Sequence, residues 1–249
     1  MDPGAELAAA IDAARAAHFD AAGEGCDHPA LAASAERGRL AARLADLQAL
    51  DMKLVPAQTA FWINVFNATV VRDAMELAYA ENVREVEAFF ERPRISVAGL
   101  AYSLDDVQHG VLRGNLPKHG RRQAPMRRDD ARLANVPVAF DERIHFALFC
   151  AARSSPALQA FAAGALEREL DAAACAYLQR AVRVEQDGAV LVLPRQFYWY
   201  PGDFGGARGI VEFVAACLDE NAVAAIDRRR GRVKLRYADF DWTLNRKSP

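Results

Sequence analysis

Cys150 closes the most hydrophobic run of a 249-residue chain. A free thiol in such a place has two uses. It is a small buried hydrophobe, or it is a nucleophile whose thiolate must be favoured by a nearby histidine or a helix N-terminus. His109 is the histidine for the second use, since an imidazole titrates near neutrality and can act as general base. Asn64 and Asn67 stand three apart on an otherwise apolar helix, so they share one face. A buried amide costs about 1–3 kcal/mol unless it is hydrogen-bonded. Both therefore either hold loop backbone in place or orient a catalytic group or a substrate carbonyl. Ser154 and Ser155, ahead of Pro156, offer hydroxyls or backbone donors for an oxyanion, or cap a turn. Arg113, His145 and Trp199 join these two serines as candidate binding residues, with Trp199 inside an aromatic cluster that walls a pocket or locks a chain reversal.

These residues lie on elements that the pattern of the chain predicts. Residues 4–20 and 29–50 have apolar positions three and four apart and read as amphipathic helices. Pro56 opens a long helix to about residue 81 that carries both asparagines. A shorter helix is expected over 83–90, then a hairpin in RISVAGLAYS. Ser103 and Asp106 have the spacing of a capping box and start the helix that holds His109 and Arg113. Residues 114–135 form a long surface loop. The run 141–152 is predicted helical behind the N-cap Asp141; His145 would then sit about 140° around the helix from Cys150, at about 100° per residue, and would not be its base. Residues 165–181 form a helix, and Asp187-Gly188 between apolar runs marks a hairpin. A helix over 210–219 and a strand over 232–242 end the chain. The expectation is an α+β protein, mainly helical, with a small antiparallel sheet or hairpins: residues 1–50 a helical extension and 51–249 one domain.

Composition narrows the function classes. A net charge of −2, from 31 basic and 33 acidic residues, calls for neither nucleic acid nor an anionic membrane as partner. The clusters at Arg121, Arg122, Arg127 and Arg128, and at Arg228, Arg229 and Arg230, read as solvated loops. No apolar stretch reaches the roughly 18 to 20 residues that span a bilayer, and no secretory leader pattern opens the chain, so it reads as cytoplasmic. The four cysteines, Cys26, Cys150, Cys175 and Cys217, include no CxxC pair, and reduced thiols are expected. His109, Asp105 and His145 match no recognised ligand spacing, so no metal is expected; no cofactor is expected either.

Four stretches in order, FWINVFNA (61–68), YSLDDVQHGVLRGN (102–115), DERIHFALFCAARSSPAL (141–158) and LPRQFYWYPGDFG (193–205), resemble the domain of unknown function 547 family. YADFDWTLN (237–245) is a weaker fifth match. Trp62, Trp199 and Trp242, all the tryptophans of the chain, fall inside them. Two departures stand out: Ala151 occupies a position where many relatives have glycine, and Ser155 one where many bacterial relatives have a second cysteine. A two-thiol mechanism is therefore not carried over, and the family name implies a shared fold without an activity.

Two readings remain. One is a cysteine-dependent hydrolase or acyl transferase with Cys150 as nucleophile, His109 as base and Asn64 or Asn67 as orienter, acting on a small-molecule or peptide ligand. The other is a non-catalytic binding or scaffold module in which the same polar residues stitch loops together. Oligomeric state is not legible in the sequence.

Overall fold

The structure is a computed structural model and describes residues 2–55, 58–137, 139–229 and 231–247. Two buried clusters of apolar side chains organise it.

The larger cluster is built around one helix. Helices α1 (Pro3–His18), α2 (His28–Ala32) and α3 (Ala35–Asp46) lead to α4 (Thr59–Arg72), whose residues from Ala60 to Val71 are all buried. A helix that is apolar all round has to be enclosed, and α1 and α3 do this on one side, with Leu7, Ile11, Leu40 and Leu44 fully inside. Asp2, Asp27 and Ser34 cap α1, α2 and α3 by accepting from backbone N–H groups, so each start is encoded locally. The long helix expected over residues 56–81 is shorter: α4 stops at Arg72 and a single turn, α5 (Ala74–Leu77), follows. Pro56, expected to open it, lies outside the described residues.

The expected hairpin is present as β1 (Pro93–Val97) and β2 (Leu100–Ser103), antiparallel. Helix was expected over 83–90, but only a 3₁₀ turn, Val83–Glu85, forms before the chain bends away. The capping box is also present, with Asp106 N–H donating to Ser103 Oγ (3.0 Å) and Ser103 N–H to Asp106 Oδ2 (2.9 Å). The helix it starts is wound as a π-helix over Asp106–Leu112, a form that is rare and clusters at functional sites.

The smaller cluster lies between α6 (Leu166–Ala181), a sheet of β3 (Arg183–Glu185), β4 (Val190–Leu193) and β5 (Lys234–Tyr237), and the helices α7 (Arg195–Trp199), α8 (Gly206–Ala215) and α9 (Glu220–Asp227). β3 and β4 form the Asp-Gly hairpin, while β5 pairs parallel to β4. This is an α+β architecture with two small sheets. The strand expected over 232–242 is confined to Lys234–Tyr237, and the helix expected over 210–219 starts at Gly206.

Two further expectations are corrected. The run 141–152 is not a helix: one 3₁₀ turn, Glu142–Phe146, gives way to irregular chain. Its apolar side chains pack in two directions, Phe146 into the smaller cluster and Ile144 and Phe149 into the larger, which a single helical face does not serve. The cysteines are not all reduced, because Cys175 on α6 and Cys217 just beyond α8 form a disulfide; Cys26 and Cys150 are free. Packing of α6 against the chain that follows α8 brings together two thiols that are 42 residues apart. No helix among the described residues is long and apolar enough to cross a membrane.

Candidate functional site

A cavity of about 390 Å³ opens against the larger cluster, and Cys150, His109 and His145 all line it. That volume is within the range of small-ligand sites. Phe66, Leu148, Trp199 and Trp242 contribute its apolar wall, and Asp105, Lys118 and Gln196 its polar one.

Cys150 is held from behind. Its N–H donates to Ser155 Oγ at 2.9 Å, and Ser155 in turn donates to the Pro156 carbonyl. Asn67 fixes the preceding residues: its Oδ1 accepts from Phe149 N–H (2.9 Å), and its Nδ2 donates to the carbonyls of Ala147 (3.0 Å) and Gln159 (3.3 Å). Asn64 closes a reciprocal pair with the backbone of Phe161, at 2.7 and 2.9 Å. Neither asparagine borders the cavity, and their amides are spent on loop backbone. Beyond the sulfur the chain turns through Ala151 with φ at 59°, a left-handed conformation that favours glycine. Residues 241–247 strap this turn down, Asn245 N–H donating to the Ala151 carbonyl and Arg153 N–H to that of Thr243. Ser154 belongs to the same fastening, since its Oγ accepts from Asp241 N–H (2.9 Å).

The two imidazoles are bound in opposite senses. Arg113 donates through Nη1 to His109 Nδ1 at 3.2 Å. A guanidinium only donates, so Nδ1 is the accepting nitrogen and the ring proton of neutral His109 is on Nε2, 3.7 Å from Asp105 Oδ1. His145 Nε2 lies 2.7 Å from Asp203 Oδ2. A carboxylate accepts that proton and leaves the lone pair on Nδ1, which is buried and has no partner among the described residues. Asp203 also receives a bidentate pair from Arg113, Nε at 2.7 Å and Nη2 at 2.8 Å. The Tyr200 ring stacks on His145 (centroids 4.8 Å apart, 11° between planes) and carries the Arg113 guanidinium 4.2 Å from its centre.

Burial sets the protonation states. It pulls His109 well below its ordinary value, aided by the nearby charges of Arg113 and Lys118, and it also lowers His145 against the pull of Asp203. Both rings are neutral at pH 7. Burial alone would raise Asp203, but hydrogen bonds from His145 and Arg113 bring it down to about 2. The Cys150 thiol is pushed up to about 11 by burial, opposed by the Ser155 hydroxyl and the Ala152 N–H beside the sulfur. Among the described residues, Cys150 makes no hydrogen bond to either imidazole. Burial raises Asp105, and Lys118, which bridges Asp105 (2.7 Å) and Glu91 (2.9 Å), opposes the rise. Among the described residues no group of three or more His, Cys, Asp or Glu is arranged to hold a metal ion.

The cavity thus brings together Cys150, His109, His145 and Trp199 from the sequence-derived candidates, with Arg113 bonded to His109 directly and to His145 through Asp203. It leaves Asn64, Asn67, Ser154 and Ser155 as fastenings of the surrounding chain. Asp203 and Gln196 were not singled out as site residues. Both stand in the LPRQFYWYPGDFG stretch, and the only local signal was a polar residue amid aromatics.

No curated protein and no solved structure matches the chain. The family model described as "Protein of unknown function, DUF547" matches residues 51–178, which take in Asn64, Asn67, His109, Arg113, His145 and Cys150 but stop before Gln196 and Asp203. With more than half of its 249 residues matched in this way, the chain belongs to the DUF547 family.

Proposed function

We propose that this protein is a cysteine-dependent hydrolase or acyl transferase with Cys150 as nucleophile. The observation that carries the reading is one cavity lined by a half-buried cysteine and by an imidazole whose far nitrogen is held by a buried carboxylate. A carboxylate on one ring nitrogen orients the ring and leaves the other nitrogen as a base. Within this reading the base is His145, oriented by Asp203. His109 was the sequence-derived choice, but its accepting nitrogen is occupied by Arg113 and it presents an N–H instead. The thiol stays protonated at rest and gives up its proton as it attacks, which suits a neutral imidazole as acceptor. A small-molecule or peptide acyl compound fits the volume and the apolar wall.

The test uses p-nitrophenyl acetate and follows acetylation of Cys150 by mass spectrometry between pH 6 and 10. Wild-type protein should acetylate near neutrality faster than its small thiolate fraction allows. His145→Gln keeps a donor to Asp203 but lacks a base, and should lose about 10²-fold or more. Cys150→Ser should lose the label altogether. Acetylation that simply tracks a thiol titrating near 11, with His145→Gln unchanged, would overturn the reading. That outcome would favour the second one, a binding module, for which the specific support is the raised thiol without an imidazole bonded to it.

A further inference from the structure

Gln196 borders the same cavity as Cys150 and is only 5% exposed. Its amide is not free to turn. Nε2 donates to the Tyr177 hydroxyl oxygen at 3.1 Å, and that hydroxyl donates to the Ser154 carbonyl at 2.9 Å. Two hydrogen bonds in series therefore tie the amide to the turn that follows the thiol. A primary amide carries two N–H donors, and Tyr177 takes one. The second has no partner among the described residues. The Cys150 N–H, by contrast, is already used on Ser155 Oγ.

An oriented, unspent N–H in the cavity that a nucleophile lines is what acyl transfer needs where the carbonyl oxygen gains charge. Resting on the acyl-transfer reading, we infer that Gln196 is a further catalytic residue, donating its free N–H to the carbonyl oxygen of an ester, thioester or amide. The apolar part of that substrate packs on Phe66, Leu148, Trp199 and Trp242. In the step, Cys150 Sγ bonds to the carbonyl carbon as its proton passes to His145 Nδ1. The C=O π pair moves onto oxygen, where Gln196 receives it. Return of that pair breaks the bond to the leaving group, which departs with the bonding electrons and, where it needs one, the proton from His145.

Two reactions of Cys150 separate this role from a structural one. Acetylation by p-nitrophenyl acetate builds charge on a carbonyl oxygen. Alkylation by iodoacetamide displaces iodide by direct substitution and builds none, so it reports access and ionisation of the thiol alone. Both are read by peptide mass spectrometry on the intact chain as wild type, Gln196→Ala and Gln196→Met. The expected result is acetylation reduced about 10²–10³-fold in both variants, with alkylation little changed. Variants that acetylate like an active wild type, or that lose both reactions in parallel, would overturn the role of Gln196 while leaving the thiol chemistry standing. A wild-type Cys150 that alkylates but never acetylates would instead remove the acyl-transfer reading, and this inference with it.

Discussion

Asp203 accepts hydrogen bonds from Arg113 and His145 with its side chain only 6% exposed, and its environment makes a prediction about acid. His28, His109 and His145 are all buried and held below their ordinary value of 6.5. The unfolded chain takes up protons on these rings as pH drops through 6.5, and the folded chain does so only at lower pH. Stability is therefore full above 6.5 and declines below it, since it rises with pH wherever the unfolded state binds more protons. Asp203 adds a second loss between its ordinary 3.8 and about 2, worth about 2 kcal/mol. Urea titrations from pH 7 to pH 3 should show the midpoint falling from near 6.5. Asp203→Asn should be weaker at pH 7 and flatter below pH 4. A midpoint that holds constant from pH 7 to 5 would contradict the assignment of neutral rings.

Elements position the sulfur through an irregular turn, and Ala151 is its tightest point. A left-handed backbone costs an L-residue about 1–2 kcal/mol, and Ala151 meets that cost with a methyl that is 1% exposed. Glycine removes the strain but loses that burial and gains freedom when unfolded, so Ala151→Gly should stay within about 1 kcal/mol of wild type. A β-branched side chain has no such offset, and Ala151→Val should lose about 2 kcal/mol or more. Thermal melts of the two variants decide it; a valine variant as stable as wild type would mean the turn is not built as described. The run before this turn shows why local patterns misled. DERIHFALFC has a good N-cap and unbroken apolarity, but its side chains answer to two cores at once. Tertiary packing outweighed the local preference and left one 3₁₀ turn, Glu142–Phe146. That irregular path is what lets His145 and Cys150 line one cavity despite a spacing that sets them apart on a helix.

Across the whole molecule, one covalent link crosses the smaller core. The Cys175–Cys217 disulfide closes a 42-residue loop that contains β3, β4, α7 and α8, and with them Gln196 and Asp203. Loop-closure entropy values such a link at about 4 kcal/mol. Dithiothreitol, or Cys175→Ser with Cys217→Ser, should lower the melting temperature by many degrees while Cys26 and Cys150 keep their environments. Melting that is indifferent to reductant would show that the link contributes nothing to the fold. Such bonds persist in oxidising surroundings, which pulls against the cytoplasmic placement expected from composition.

Periodicity determined α1, α6 and both hairpins, because those signals are satisfied within a few residues of chain: Asp2 accepts from its own first turn and Asp187-Gly188 reverses its own strands, whereas the helix expected over 29–50 is broken into α2 and α3 at the Ser34 cap. The sequence also singled out Cys150, His109 and His145 as residue types out of keeping with a plain core. Which nitrogen of each imidazole is free was settled only by Arg113 and Asp203, two residues 90 positions apart. Likewise the disulfide partner, the parallel pairing of β5 and the place of Gln196 depend on contacts between distant segments. Long-range packing decides these because a side chain's partner is set by where two cores meet, and no local spacing encodes that distance.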